Sequence, residues 1–230
     1  KEDLSRIREL RALEDQLRIE KESMVYTESY IRTQTDNVVA TLLADEFIVK
    51  HTDDALCDGD PSYEFTALGR MASNIAEIHP LILTSLTETW NHFAEFSPRQ
   101  LVGLFSCFTG IKVPDDIRHS IPITDDPFLK DKIQQLSQMY ALYDTREGEM
   151  HMRTGINYAE SMQFDIIDLA MQWCDCSTEE ECKRFIQNDV NLKSISVGDI
   201  TKAMLKIATI TKEWMNVFTL CGNLETLHKL

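Results

Sequence analysis

The sequence predicts a mainly α fold: a long helical arm, a small two-stranded piece, and a C-terminal helical bundle. Three observations carry this. Gly (8) and Pro (6) are sparse in 230 residues and gather at a few places. Between those places run long stretches with apolar residues at steps of three and four. Several runs open on a capping residue followed by Pro or by Glu/Gln three positions on.

The first element runs from Lys1 to about Arg32. Leu10, Leu13, Leu17, Met24 and Ile31 form a narrow coiled-coil seam, and the remaining surface carries both charge signs. So thin a stripe needs a partner helix, and none is evident downstream. The chain opens without Met inside a helical pattern, so it reads as a fragment with that partner upstream of Lys1. Residues 34–75 change character. Val38–Leu43 fits a short helix, Phe47-Ile48-Val49 a strand, His51–Ser62 an acidic loop, and Tyr63–Thr66 a second strand. Helix, strand, loop, strand and then Leu-Gly-Arg is the order of a winged-helix end with the loop as wing; an irregular linker with two extended pieces is the alternative.

The bundle occupies 76–230. Helices are expected at 80–94 and at 97–109, the second capped by Ser97 with Pro98 and Gln100. A loop with Pro114 and Pro122 follows. Asp126 and Pro127 open a long helix with the seam Leu129, Ile133, Leu136, Tyr140 and Tyr143, reaching past Met152. Tyr158–Cys174 reads as a further helix, and Ser177 with Glu180 caps a short one. The last long helix begins near Asp199 and ends before Gly222.

Net charge is −15. That background opposes a polyanion, so any nucleic-acid contact must be local. No signal peptide and no apolar run of membrane-spanning length is present. Six cysteines without a disulfide framework point to an intracellular, reducing setting, nucleus and cytoplasm both open.

Catalytic motifs are missing: no phosphate-binding Gly-rich loop, no nucleophile elbow, no His-Glu-x-x-His pair. Asp45-Glu46 runs into Phe47-Ile48 and is no helicase acidic box. Cys174-Asp-Cys176 with Cys182 has the wrong spacing for zinc and reads as buried structural cysteine. A metal-bound regulatory domain is the third-ranked reading. Asp53-Asp54 and Glu179-Glu180-Glu181 read as solvated surface, the latter suited to a helix first turn.

In the last long helix, Ile200, Met204, Ile207, Thr211, Trp214, Phe218 and Cys221 form a core stripe. Lys202, Lys206, Thr209, Glu213 and Asn216 form a polar ladder on another side. Two lysines one turn apart suit successive phosphates, or a phosphate and a base. A plain solvated face is the alternative.

Gly69-Arg70-Met71-Ala72, Leu81-Ile82-Leu83-Thr84 and Phe96-Ser97-Pro98-Arg99-Gln100 through Phe108, in that order, resemble the opening of the DSHCT domain. The resemblance continues in Phe164–Trp173, in Gly198–Lys206 and in Gly222-Asn223-Leu224-Glu225. This is the C-terminal bundle of DExH RNA helicases of the Ski/Mtr branch that feed the RNA exosome, and the chain looks like a divergent member. The resemblance implies that 1–33 is the returning arm of the arch, an insertion in the winged helix. It implies that the helix over about 199–220 is the ratchet helix lining the channel for single-stranded RNA. Lys202 and Lys206 then stand where the family tends to have Arg, and Lys112 falls near a position that is often acidic there. Lys112, Lys202, Lys206, Thr209, Glu213 and Asn216 are the implied RNA contacts. The region holds no catalytic or metal-binding residue and no cofactor of its own; ATP and Mg²⁺ belong to RecA-like motor domains of the same polypeptide. Expected partners are single-stranded RNA, those motor domains and exosome-related proteins, with no membrane. The competing expectation is an acidic helical protein-interaction module that does not touch nucleic acid.

Overall fold

The computed structural model describes residues 2–51, 62–191 and 193–230. Helix α1 runs unbroken over Glu2–Ala44. The expected stop near Arg32 is absent. Thr33-Gln34-Thr35-Asp36-Asn37 has the composition of a break, but Gln34 and Asn37 dock on a distant segment, and Thr35 bonds back to the Ile31 carbonyl of its own helix (3.0 Å). Gln34 donates to the His151 carbonyl (3.1 Å) and accepts from the Arg153 N–H (2.9 Å), and Asn37 donates to the Met150 carbonyl (2.9 Å). At the helix end, Asp45 accepts from the Tyr143 hydroxyl (2.7 Å) and from Arg146 (2.5 Å). Farther out, Leu10, Leu13, Leu17, Met24 and Ile31 all face solvent.

Strands β1 (Ile48–Lys50) and β2 (Tyr63–Phe65) pair antiparallel, Ile48 opposite Phe65 and Lys50 opposite Tyr63. The acidic loop between them, with Asp53-Asp54 and Cys57, lies outside the described residues. Helix α2 (Ala67–Ala72) starts on Thr66, whose hydroxyl accepts the Gly69 N–H (3.1 Å) and donates to the Glu46 carbonyl (2.7 Å). A Cβ on Gly69 would sit 2.0 Å from the Phe47 carbonyl oxygen, so the Leu-Gly-Arg turn packs backbone on backbone.

The bundle comprises α3 (Pro80–Thr89), α4 (Pro98–Ser106), α5 (Pro127–Glu149), α6 (Ile167–Trp173), α7 (Glu179–Phe185), α8 (Val197–Cys221) and α9 (Leu224–Leu227). Ser97 and Gln100 make the expected capping box, and Asp126 caps α5. The seam Leu129, Ile133, Leu136, Tyr140 and Tyr143 is buried throughout. Gly103 lets α4 approach α5 and α6: a Cβ there would meet Leu129 at 2.7 Å and Met171 at 3.0 Å.

Further boundaries differ from expectation, those of α3, α5 and α6 for a tertiary reason and that of α7 through its own cap. Helix α3 stops at Thr89 because Asn91, His92 and Phe93 take left-handed φ (47°, 51°, 63°). Such backbone costs about 1–3 kcal/mol per residue. It swings Phe93 fully into the core, against Trp214 (5.0 Å between ring centroids) and Phe218 (5.8 Å). Helix α5 ends before Met152, since the 150–153 backbone is docked on α1. The expected helix over 158–174 is only a 3₁₀ turn (Tyr158–Glu160) and α6. Between them the Gln163 N–H donates to the Cys107 carbonyl (2.9 Å), and buried Asp165 accepts the His119 N–H (2.7 Å). Helix α7 is capped one residue later than expected, by Thr178 with Glu181, and runs on into a π-helical turn, Ile186–Val190.

A large core joins α3, α4, α5, α6 and α8. A smaller one, including Ile111, Val113, Ile166, Val190 and Ile200, ties the loop after α4 to the start of α8.

Candidate nucleic-acid interface

Helix α8 is the longest element of the bundle and positions the sequence-predicted residues. Ser196 caps it, its hydroxyl accepting the Asp199 N–H (3.1 Å), and Gly222 closes it in the left-handed region (φ 71°). Its buried face is Ile200, Ala203, Ile207, Ile210, Trp214, Val217 and Phe218. The expected stripe is rotated slightly: Met204 and Thr211 are half-buried and Cys221 is exposed, while Ala203, Ile210 and Val217 fill the core.

That rotation divides the predicted ladder. Lys202, Thr209 and Asn216 are exposed. Lys202 Nζ lies 3.4 Å from Asp199 Oδ1, and the Thr209 hydroxyl donates within the helix to the Leu205 carbonyl (2.9 Å). Lys206 and Glu213 are half-buried on one flank and are used internally. The Lys206 ammonium pairs with the Glu77 carboxylate. The two Glu213 oxygens accept the Ala76 and Glu77 N–H groups, each at 3.2 Å. Together they clasp the connection between α2 and α3. Lys112 stands apart in the loop after α4, its Nζ 3.2 Å from Glu160.

The outward row of α8 is therefore Lys202, Leu205, Thr209, Lys212, Asn216 and Thr219, all exposed at alternating steps of three and four. Leu205 (64% exposed) is a large apolar group within this row, while the exposed Leu220 lies on the flank of Lys206 and Glu213 and the exposed Met215 on the opposite edge. Leu205 and Lys212 of this row were not among the sequence-predicted residues. The 3,4 repeat starting at Lys202 could have found the row; stepping first to Lys206 moved onto the flank.

Charge supports a distinct role for this face. From Asp199 to Asn223 the charged residues are Asp199, Lys202, Lys206, Lys212 and Glu213; Asp199 pairs with Lys202, Lys206 pairs with Glu77 and Glu213 points inward, so the outward row itself carries Lys202 and Lys212 and no acid. A chain of net charge −15 thus carries a locally basic strip. Lysines set between exposed aliphatic side chains can hold phosphates while the aliphatics meet bases.

A second polar cluster borders a cavity of about 240 Å³ where α1 meets α3 and α5, lined by Val38, Leu42, Pro80 and Met152 among others. His79 Nδ1 accepts the Ile82 N–H (3.4 Å) as cap of α3. Its Nε2–H therefore donates to the Tyr158 oxygen (3.3 Å), and the Tyr158 hydroxyl donates to Glu147 (2.7 Å). Burial holds the His79 pKa below its ordinary value, against the opposing pull of Glu147. Burial and then Glu147 push the Tyr158 hydroxyl up. This fully partnered chain is structural.

Cys174 is exposed, and Cys176 and Cys182 are half-buried, so these thiols are not core residues as expected. Burial raises the Cys174 and Cys176 pKa values, which leaves them protonated and weakly nucleophilic. Among the described residues no group of three or more His, Cys, Asp or Glu could hold a metal ion. Glu181 serves the α7 cap, accepting the Ser177 (2.8 Å) and Thr178 (3.0 Å) N–H groups, which hold its carboxyl below the usual range. Among the described residues no helix is long and apolar enough to cross a membrane.

Fold and site together define a helical bundle built on one long helix, with a buried stripe and an outward row that carries Lys202 and Lys212. The chain belongs to the DSHCT (NUC185) domain family, whose profile matches residues 62–230. DSHCT is a domain of DExH-box RNA helicases. No curated protein matches the chain.

Proposed function

We propose that this chain is the accessory C-terminal region of an ATP-dependent 3′–5′ DExH RNA helicase of the Ski/Mtr type, and that α8 acts as its ratchet-like helix on single-stranded RNA. The observation that carries the reading is the outward row of α8, where Lys202 and Lys212 alternate with Leu205, Thr209 and Asn216. Within it, α1 up to residue 33 is the returning arm of the arch, and residues 34–75 with their hairpin are the end of a winged helix. ATP and Mg²⁺ are bound by motor domains of the same polypeptide. The test is Lys202→Glu with Lys212→Glu in the full helicase. RNA unwinding is expected to fall at least tenfold while RNA-independent ATP hydrolysis persists. Unwinding at the parental rate sinks the assignment.

A second reading, an acidic protein-interaction module, is favoured by one feature: the exposed seam Leu10, Leu13, Leu17, Met24 and Ile31. The two separate cleanly, because only the first makes RNA affinity depend on α8.

A further inference from the structure

We propose that the groove between α2 and the last turns of α8 is a pocket for one unpaired nucleobase of the strand that follows α8. This rests on the RNA reading of α8 and extends it to a site on a second element. The groove encloses about 430 Å³, within the range of pockets that hold small ligands. Its floor is apolar, with buried Met71 and Val217 and the exposed Leu220. Its rim is polar, formed by Arg70, Ser73 and Asn74, all exposed.

The rim is held in place rather than adrift. Arg70 Nη1 donates to the Phe65 carbonyl (2.8 Å). The Ser73 hydroxyl (2.9 Å) and the Asn74 amide (2.8 Å) both donate to the Arg70 carbonyl. A planar guanidinium, an amide and a hydroxyl above an apolar floor suit a flat heterocycle with hydrogen-bonding edges. An aliphatic tail or an amphipathic helix would instead need a continuous apolar trough.

Charge and continuity choose the same occupant. None of the residues lining the groove is acidic, in a chain with 38 Asp and Glu. The outward row of α8 leads into it, since Asn216 lies one turn before Leu220. A strand whose phosphates meet Lys202 and Lys212 thereby brings a base to the groove.

The test titrates the chain with hexauridylate and with a ribose-phosphate strand of equal length lacking bases, read by NMR amide shifts. Hexauridylate is expected to shift residues 202–216 and also 70–74 and 217–221; the strand without bases is expected to shift 202–216 alone. Leu220→Ser and, separately, Asn74→Ala should abolish the groove shifts and weaken hexauridylate about tenfold. Leu220 is exposed and its side chain makes no hydrogen bond, so an unchanged melting temperature accompanies the loss in Leu220→Ser. Groove shifts of equal size with the baseless strand overturn the pocket. So does a silent groove while 202–216 responds, which leaves the reading of α8 standing. If 202–216 is silent with both strands, that reading falls and the pocket with it.

Discussion

Lys206 and Glu213 carry the lesson at the scale of single residues. On the helix sequence they stand in line with Lys202, Thr209 and Asn216, and only their partners at Glu77 and the 76–77 backbone assign them elsewhere. Those partners are more than 125 residues away in the chain, so no local pattern announces them. A clasp role has a distinguishable signature. Lys206→Glu sets two carboxylates side by side and is expected to cost about 1 kcal/mol in urea unfolding. It should also weaken strand binding, because α8 loses its fixed orientation. Exchanging the charges, Lys206→Glu with Glu77→Lys, should restore both stability and binding. Restored stability with binding still lost would mean that Lys206 touches RNA itself.

At the scale of elements, what was legible follows from where the hydrogen bonds go. Helix α5 was legible because Asp126, Pro127 and a 3,4-spaced seam all lie within its own sequence. The join of α1 with the 38–43 segment was not, nor was the long gap between Tyr158 and Ile167. Gln34, Asn37, Gln163 and Asp165 look like local breakers or helix residues, and each is satisfied by a distant segment. The α4 capping box holds a further coupling of this kind. Gln100 accepts the Ser97 N–H (2.9 Å) and also donates to Asp126 Oδ2 (2.8 Å), while Asp126 Oδ1 accepts the Leu129 N–H (2.9 Å). Burial opposes ionisation of Asp126, but these donors outweigh it and hold the carboxyl below its ordinary range. One amide thus joins the caps of two helices. Asp126→Ala and Gln100→Ala should each cost about 1 kcal/mol. The double variant should cost less than the sum by about 0.5 kcal/mol or more. Urea unfolding of the four proteins decides it, and strict additivity would mean that the caps act independently.

The molecule as a whole sets a basic strip into a strongly acidic body, and that opposition can be measured. Long-range repulsion from a net charge of −15 slows approach of a polyanion and is screened by salt. Direct contacts act in the other sense, since each phosphate neutralised releases counterions and makes binding fall as salt rises. With Lys202 and Lys212 as the contacting cations, the slope of log affinity against log salt for single strands is about −1.4, so affinity falls about sevenfold for a fourfold rise in salt. General repulsion pulls the observed slope toward zero at the lowest salt and little at the highest. The plot should therefore curve, steepening as the body's field is screened. Lys202→Glu with Lys212→Glu should remove the negative slope and leave only the repulsive limb, with affinity rising as salt is added. Filter-binding or anisotropy titrations across that salt range check both limbs. A parental slope several times steeper would require many more cations than the α8 row provides and would move the interface off this helix. A flat plot unaffected by the two substitutions would remove RNA from α8 altogether and leave the exposed seam of α1 as the chief binding surface.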